Sequence, residues 1–120
     1  MLKSMEGLPD GIVGVEASGR VTADDYERVL EPAVERGLEH HRKVRFIYHL
    51  GREVTGFTPV ALWDDAKIGM RHRRDFEKCA VVTDTPWLRE AIRLFRVLMP
   101  CPVRVFHNAE LVAAKTWVGT

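Results

Sequence analysis

The feature that most constrains the fold is an alternation of short runs of strand character, most of them β-branched or aromatic, with longer segments of helical periodicity. The runs span residues 2–6, 12–18, 44–50, 79–83 and 103–106. A repeated strand–helix alternation indicates a largely parallel sheet with right-handed crossovers. The turn sequence Leu-Pro-Asp-Gly at residues 8–11 joins the first two runs closely, which predicts an antiparallel hairpin. We therefore predict an α/β protein with a mostly parallel five-stranded sheet and an antiparallel N-terminal edge strand.

Four segments are predicted to be helical. Thr22 caps the first, which Pro32 should kink or split. The second covers about residues 58–72. The third begins at an Asp84 or Thr85 cap, and the fourth follows an Asn108 cap. Repeats, low-complexity tracts and linkers are absent from the sequence, so we predict one domain over residues 1–120.

The two faces of the predicted strand 44–50 differ in polarity. A parallel sheet covered on both faces would be apolar throughout. We therefore expect helices mainly on one face and a half-open second face, covered by part of the chain, another subunit or a ligand. The first face carries Val44, Phe46, Tyr48 and Leu50, and the second carries Arg45, Ile47 and His49.

Bulk composition excludes some classes of function. The 120 residues carry a formal net charge of +1, whereas nucleic-acid binders usually show a basic excess. The sequence has neither a signal peptide nor an apolar run long enough to span a bilayer, so we expect a cytoplasmic protein. Cys79 and Cys101 lie in no metal or redox spacing and are expected to be free thiols, close in space if their strands are neighbours.

The segment after the third strand, residues 51–58, is the first candidate site. Gly51 and Gly56 permit unusual backbone conformations, and Thr58 can cap the following helix. With Arg52 nearby, the helix start is a candidate anion site, although a simple strand-to-helix turn explains the same residues. Arg45 and His49 extend this candidate ligand site onto the second sheet face.

Basic residues at helical spacing form a second candidate surface. Lys67, Arg71 and Arg74 recur at helical spacing, and Ile68 lies on the outward side of the predicted 58–72 helix. These residues are candidates for contact with a partner or an anionic membrane, and a solvated helix face is the alternative.

The sequence contains no motif for catalysis or metal binding. The five histidines show no ligand spacing, and the adjacent Asp64 and Asp65 diverge on a helix. Neither cysteine is near a histidine in sequence, so a nucleophile–base pair has no support. We predict no catalytic residue, no metal and no cofactor.

The order of elements resembles the SpoIIAA-like fold, which includes STAS domains and is related to the Sec14/CRAL-TRIO lipid-binding domains. The resemblance rests on LPDGIVGVEASGRVTADDYERVLEP, VRFIYHLGREVTGFTPVALWDDAKIG, FEKCAVVTDTPWLREAIRLF and VRVFHNAELVAAKTWV, which cover essentially the whole chain. More narrowly, the chain resembles the small bacterial SpoIIAA-like family. The resemblance implies a (β-α)n right-handed superhelix and leaves the activity open.

STAS antagonists are phosphorylated on a serine at the helix start after the third strand, and the resemblance implies that residues 51–58 correspond to this segment. The stretch has no Asp-Ser pair, and only Thr55 and Thr58 offer hydroxyl groups. These two threonines are therefore the only candidates for phosphorylation there.

Three functions follow from these observations. We expect a non-enzymatic binding module that holds a small amphipathic or lipid-like ligand at the sheet face and helix starts, as the Sec14-type resemblance implies. The first alternative is a STAS-type regulator that binds a protein partner or forms a homodimer. The second alternative is a small hydrolase or transferase.

Overall fold

The computed structural model describes residues 1–57, 67 and 70–120. Within these ranges, Arg52, Glu53 and Phe57 are described by their backbone alone. One five-stranded sheet has the strand order β1-β2-β3-β4-β5. β1 pairs antiparallel with β2, and the other neighbouring strands are parallel. The predicted fold class is therefore confirmed. The strands are β1 (Leu2–Ser4), β2 (Ile12–Val21), β3 (Val44–Phe57), β4 (Phe76–Val82) and β5 (Val103–Phe106).

β3 is much longer than the sequence indicated. The prediction of a turn at residues 51–58 is wrong for residues 51–57. In the structure β3 continues to Phe57, and β2 pairs with it as far as that residue. A bulge at Gly19, which has a φ of 60°, shifts the register between the strands. Glycine adopts this left-handed conformation without a steric penalty. Backbone pairing with β2 thus outweighs the weak strand propensity of residues 51–56.

Pro32 splits the first helical stretch, as predicted. The stretch comprises α1 (Ala23–Asp25), a π-helical turn (Tyr26–Leu30) and α2 (Glu31–His40). The Glu31 N–H donates to the Tyr26 carbonyl, five residues back. Proline lacks an N–H and crowds the carbonyl four residues before it, which explains the wider turn at this point.

The remaining described helices flank β5. α3 spans Pro86–Phe95 and is followed by a 3-10 turn at Arg96–Leu98. A second 3-10 turn at Asn108–Glu110 leads into α4, Leu111–Gly119. The cap of this turn is His107, so the prediction of Asn108 was one residue late. Of the predicted 58–72 helix, Lys67, Met70 and Arg71 are helical, and most of the segment lies outside the described residues.

Two hydrophobic clusters lie on opposite faces of the sheet. The larger contains the predicted apolar face of β3 and packs against residues of α2 and α3. The smaller contains Ile47, Val82 and Phe106 from the sheet, with Ala114 and Val118 from α4. The helices therefore lie mainly on one face, and part of the chain, α4, covers much of the second.

Candidate functional site

The charged side chains of the second sheet face hold the end of α4. Arg45 Nη1 donates to the Val118 carbonyl at 2.9 Å, and Lys78 Nζ donates to the Trp117 carbonyl at 3.1 Å. The Lys78 ammonium lies 4.9 Å from the centroid of the Trp117 ring, over which the Arg104 guanidinium also stacks at 5.4 Å. Positive charge is favourable beside the exposed carbonyls of a helix C-terminus. These cations therefore attach α4 to the sheet.

Arg45 and His49 are not brought together. Arg45 lies near the amino end of β3, where its Nη2 is also 3.4 Å from Glu77 Oε1. Four residues of extended strand separate the two Cα positions by about 13 Å. The guanidinium of Arg45 is thus committed to α4 and Glu77, while His49 lies farther along β3.

His49 occupies a partly closed polar position. Its side chain is 14% exposed, and its Nδ1 lies 3.5 Å from Oε1 of Glu16 on the neighbouring strand. That distance fits an ion pair, but Nδ1 has no hydrogen-bond partner and is buried. A Cβ at Gly51 would lie 3.7 Å from Nε2, an ordinary van der Waals distance, so the imidazole lies beside Gly51.

A second polar group follows the ends of β4 and β5. Asp84 Oδ1 accepts a hydrogen bond from the Asn108 N–H at 2.9 Å and lies 3.2 Å from His107 Nδ1. The Asn108 Oδ1 is buried without a hydrogen-bond partner.

The sheet register places these groups at the same end of the sheet, where the parallel strands have their carboxyl ends. His49 pairs with Val82, and Val82 pairs with Phe106, so both strands end shortly after the level of His49. In open α/β sheets, ligands gather beyond the carboxyl ends of parallel strands. We call the five residues at this edge the carboxyl-edge cluster: Glu16, His49, Asp84, His107 and Asn108.

The carboxyl-edge cluster consists of two polar contacts, Glu16 with His49 and Asp84 with His107 and Asn108. It has two histidine–carboxylate pairs and two buried polar atoms without partners. No serine, threonine or cysteine hydroxyl or thiol is hydrogen-bonded to either imidazole in the described part of the chain. Among residues 1–57, 67 and 70–120, no group of three potential ligands could hold a metal ion.

Sequence reasoning missed most of this cluster. Asp84 and Asn108 were considered only as helix caps. Asp84 instead binds the backbone of the turn after β5, and the N-cap residue of α3 is Thr85. The available signal was their position directly after two buried strands, since parallel strands end at a common edge.

The other predicted site residues are spread over the surface. Gly51, Thr55 and Gly56 lie in β3, and the Thr55 side chain is exposed. Thr58, Ile68 and the side chain of Arg52 lie outside the described residues. Lys67, Arg71 and Arg74 are exposed, and Arg71 forms an ion pair with Glu31 of α2.

An apolar surface on α3 was also missed. The inner side of α3 carries Leu88, which is buried, and Ile92, which packs against the larger cluster. Ala91 is exposed because it lies on the outer side of the helix. We call the exposed large apolar residues of α3 and the following 3-10 turn the α3 stripe: Trp87, Leu94, Val97 and Leu98, which are 54%, 76%, 83% and 55% exposed.

The fold and the two surfaces define the class of this protein as a small α/β domain with a single mostly parallel sheet. The SpoIIAA-like family model matches residues 12–119, and the chain belongs to that family. An uncharacterized protein of the DUF3478 family from Shewanella loihica PV-4, with a SpoIIAA-like fold, is 22% identical in sequence. Its structure superposes with a TM-score of 0.76 and covers 98% of this chain and 92% of its own. No curated protein matches the sequence.

The described helices are too short or too polar to cross a bilayer. None of them, within residues 1–57, 67 and 70–120, has a stretch of the length and hydropathy that a membrane span requires.

Proposed function

We propose that this protein is a non-catalytic, STAS-type interaction module that binds a protein partner through the α3 stripe. The observation that carries the proposal is the width of the apolar face of α3, which the core covers only in part. Leu88 and Ile92 face the core, while Trp87 and Leu94 are exposed. Contiguous exposed apolar surface is typical of a protein interaction site.

The spacing of the stripe fits a helix-in-groove contact. Trp87 and Leu94 are seven residues apart, which places them on one side of α3, and Leu98 follows in the 3-10 turn. Partner-binding helices use anchors at this spacing. Tryptophan and leucine in such a row offer a large apolar area at small entropic cost.

Charge around the stripe indicates the chemistry of the partner. The segment from Pro86 to Leu98 carries Arg89, Arg93 and Arg96 but only one acidic residue, Glu90. An apolar groove with an acidic rim complements this surface. A second copy of the chain fits less well, since symmetric contact would place the arginines of one copy near those of the other.

Site-specific photo-crosslinking in the native cells tests the docking proposal. A photoreactive residue at position 97 should give one dominant adduct that is lost in a Leu94→Glu, Leu98→Glu variant. The matched control has the same residue at position 112, because Val112 lies on α4 and is 77% exposed. The adduct should weaken at high salt, since the arginines contribute to recognition.

Three results would overturn the proposal. Identical adducts from positions 97 and 112 would show that capture is unspecific. A crosslinked homodimer would assign the stripe to self-association. Binding of the purified protein to anionic vesicles, abolished by Leu94→Glu, would assign it to a membrane surface.

A second candidate function is suggested by the carboxyl-edge cluster. The buried His49 Nδ1 and Asn108 Oδ1 have no hydrogen-bond partner, and such atoms usually receive one from water or a ligand. A small amphipathic ligand with a polar head at His49 would supply it. The support for a ligand spread over the sheet face is weaker, because α4 occupies much of that face.

Native mass spectrometry of protein purified without added ligand tests the second candidate. A bound small molecule should be present in the wild type and in a His40→Leu control, and absent from His49→Leu. A wild-type spectrum that contains only the polypeptide mass would contradict it.

A further inference from the structure

The two cysteines lie next to each other across two neighbouring strands. Cys79 is in β4, where it pairs with Val103 of β5, and its N–H donates to the Pro102 carbonyl at 3.0 Å. Cys101 precedes Val103 by two residues, a spacing that keeps both side chains on one face of the sheet. Both thiols pack into the larger hydrophobic cluster. The sequence predicted this proximity on the condition that the two strands are neighbours, and β4 and β5 are paired.

The two thiols differ in environment. Cys79 is buried, whereas Cys101 is only partly buried. The interaction with Cys101 and then burial raise the pKa of the Cys79 thiol. The pKa of Cys101 is lowered, chiefly by the hydrogen bond from Cys79 and further by the charge of Lys43. The thiolate is the reactive form, so Cys101 is the nucleophile of the pair.

We propose that Cys79 and Cys101 form a peroxide-oxidisable dithiol site, in which Cys101 reacts first and Cys79 closes a disulfide between β4 and the residues before β5. The co-reactant is a hydroperoxide. The Cys101 thiolate attacks the terminal peroxide oxygen, the O–O bond breaks, and the alkoxide leaves and takes up a proton. This step oxidises Cys101 to a sulfenic acid and reduces the peroxide to an alcohol, or to water from hydrogen peroxide.

The second step needs no further oxidant. The Cys79 sulfur attacks the sulfenic sulfur of Cys101, an S–S bond forms, and hydroxide leaves. The hydroxide combines with the Cys79 proton to give water. Cys101 lies outside the bounds of β5, so its side chain can turn toward Cys79 without breaking the β4–β5 register.

The disulfide would enclose a defined part of the fold. The chain from Cys79 to Cys101 contains the whole of α3 and the 3-10 turn that follows it. Oxidation would therefore connect the strand before α3 to the segment after it. The site itself depends only on the two thiols and stands whether or not α3 binds a partner.

Intact-mass analysis of the reduced protein during titration with hydrogen peroxide tests the proposal. The wild type should lose two hydrogens per chain and remain monomeric on a non-reducing gel. In Cys79→Ala, the sulfenic acid on Cys101 should persist and be trapped by dimedone. In Cys101→Ala, peroxide should leave Cys79 unmodified, because the remaining thiol is buried. At neutral pH, iodoacetamide should alkylate Cys101 at least about tenfold faster than Cys79.

Several outcomes would overturn the proposal. If hydrogen peroxide, at a dose that oxidises glutathione fully, leaves both thiols of the folded wild type open to alkylation, the pair is an inert core contact. Disulfide-linked dimers without an intramolecular product would show that Cys79 does not reach Cys101. Circular dichroism checks that the alanine variants fold. If either variant is unfolded, disulfide mapping of the wild type by peptide mass decides the question alone.

Discussion

The guanidinium of Arg45 and the carbonyl of Val118 are joined by a 2.9 Å hydrogen bond that connects the start of β3 to the last turn of α4. The two residues are 73 positions apart, and the bond fixes α4 against the second sheet face. A residue that the sequence indicated as a ligand contact thus has a structural role in the described fold.

Replacement of Arg45 should loosen α4. We expect Arg45→Met to lower the free energy of unfolding by about 2 kcal/mol, since hydrogen bonds to charged groups contribute about 1.5–3 kcal/mol. Urea denaturation followed by tryptophan fluorescence measures the loss. Lys115→Met, an exposed site on the same helix, should change the free energy by less than about 0.5 kcal/mol. Equal effects in the two variants would contradict the role of Arg45.

The buried tyrosine pair should be energetically coupled. The hydroxyl groups of Tyr26 and Tyr48 are 2.9 Å apart in the larger cluster. Each Tyr→Phe substitution should cost about 1 kcal/mol, and the double variant should cost less than the sum of the two. A double-mutant cycle by urea denaturation measures the coupling, which we expect to be about 0.5–1.5 kcal/mol. Strict additivity would show that the hydroxyl groups act through other partners.

Gly37 in α2 should resist replacement by alanine. A Cβ there would lie 2.8 Å from Val44 Cγ1 and 2.9 Å from Val13 Cγ2, closer than van der Waals contact allows. Overpacking of about 1–3 kcal/mol should exceed the helix-propensity gain of about 1 kcal/mol. Gly119→Ala is the matched control, because its nearest neighbour, Ile12 Cδ1, would be 4.0 Å away. Thermal unfolding should show a lower Tm for Gly37→Ala alone, and an unchanged Tm would sink this prediction.

The ionised Asp25 carboxylate should contribute to the free energy of unfolding, and this contribution should be lost at acid pH. Burial favours its neutral form, but hydrogen bonds from the Thr22 N–H (2.8 Å) and hydroxyl (3.1 Å), with the Met1 ammonium, outweigh this and lower the pKa. The folded pKa lies below the unfolded value of about 3.9. The contribution of the carboxylate is therefore present above that value and is lost as the pH falls through the folded pKa.

The Asp25→Asn variant measures this contribution. Between about pH 3 and pH 6, its free energy of unfolding should depend less steeply on pH than that of the wild type. Asp24→Asn is the control, since the exposed Asp24 pairs with Arg28 on the helix surface. A wild-type slope retained in Asp25→Asn would assign the acid dependence to other carboxylates.

The sequence by itself determined the class of sheet, the face pattern of strand 44–50 and the approximate position of the described helices. The alternation along strand 44–50 placed Phe46 and Tyr48 in the larger cluster and Ile47 on the other face. Pro32 likewise predicted a kink or split in the first helix, and a π-helical turn interrupts the α-helical geometry just before it. These features follow from local chemistry, because side-chain period and proline geometry act over a few neighbouring residues.

Only the tertiary structure decided what covers the second face and which residues meet. The extension of β3 depends on the β2 backbone, and the approach of Cys79 to Cys101 depends on the β4–β5 register. The contact of Arg45 with Val118 needs the chain to return after 73 residues. Such contacts are set by packing between distant segments, which a pattern of local propensities does not contain.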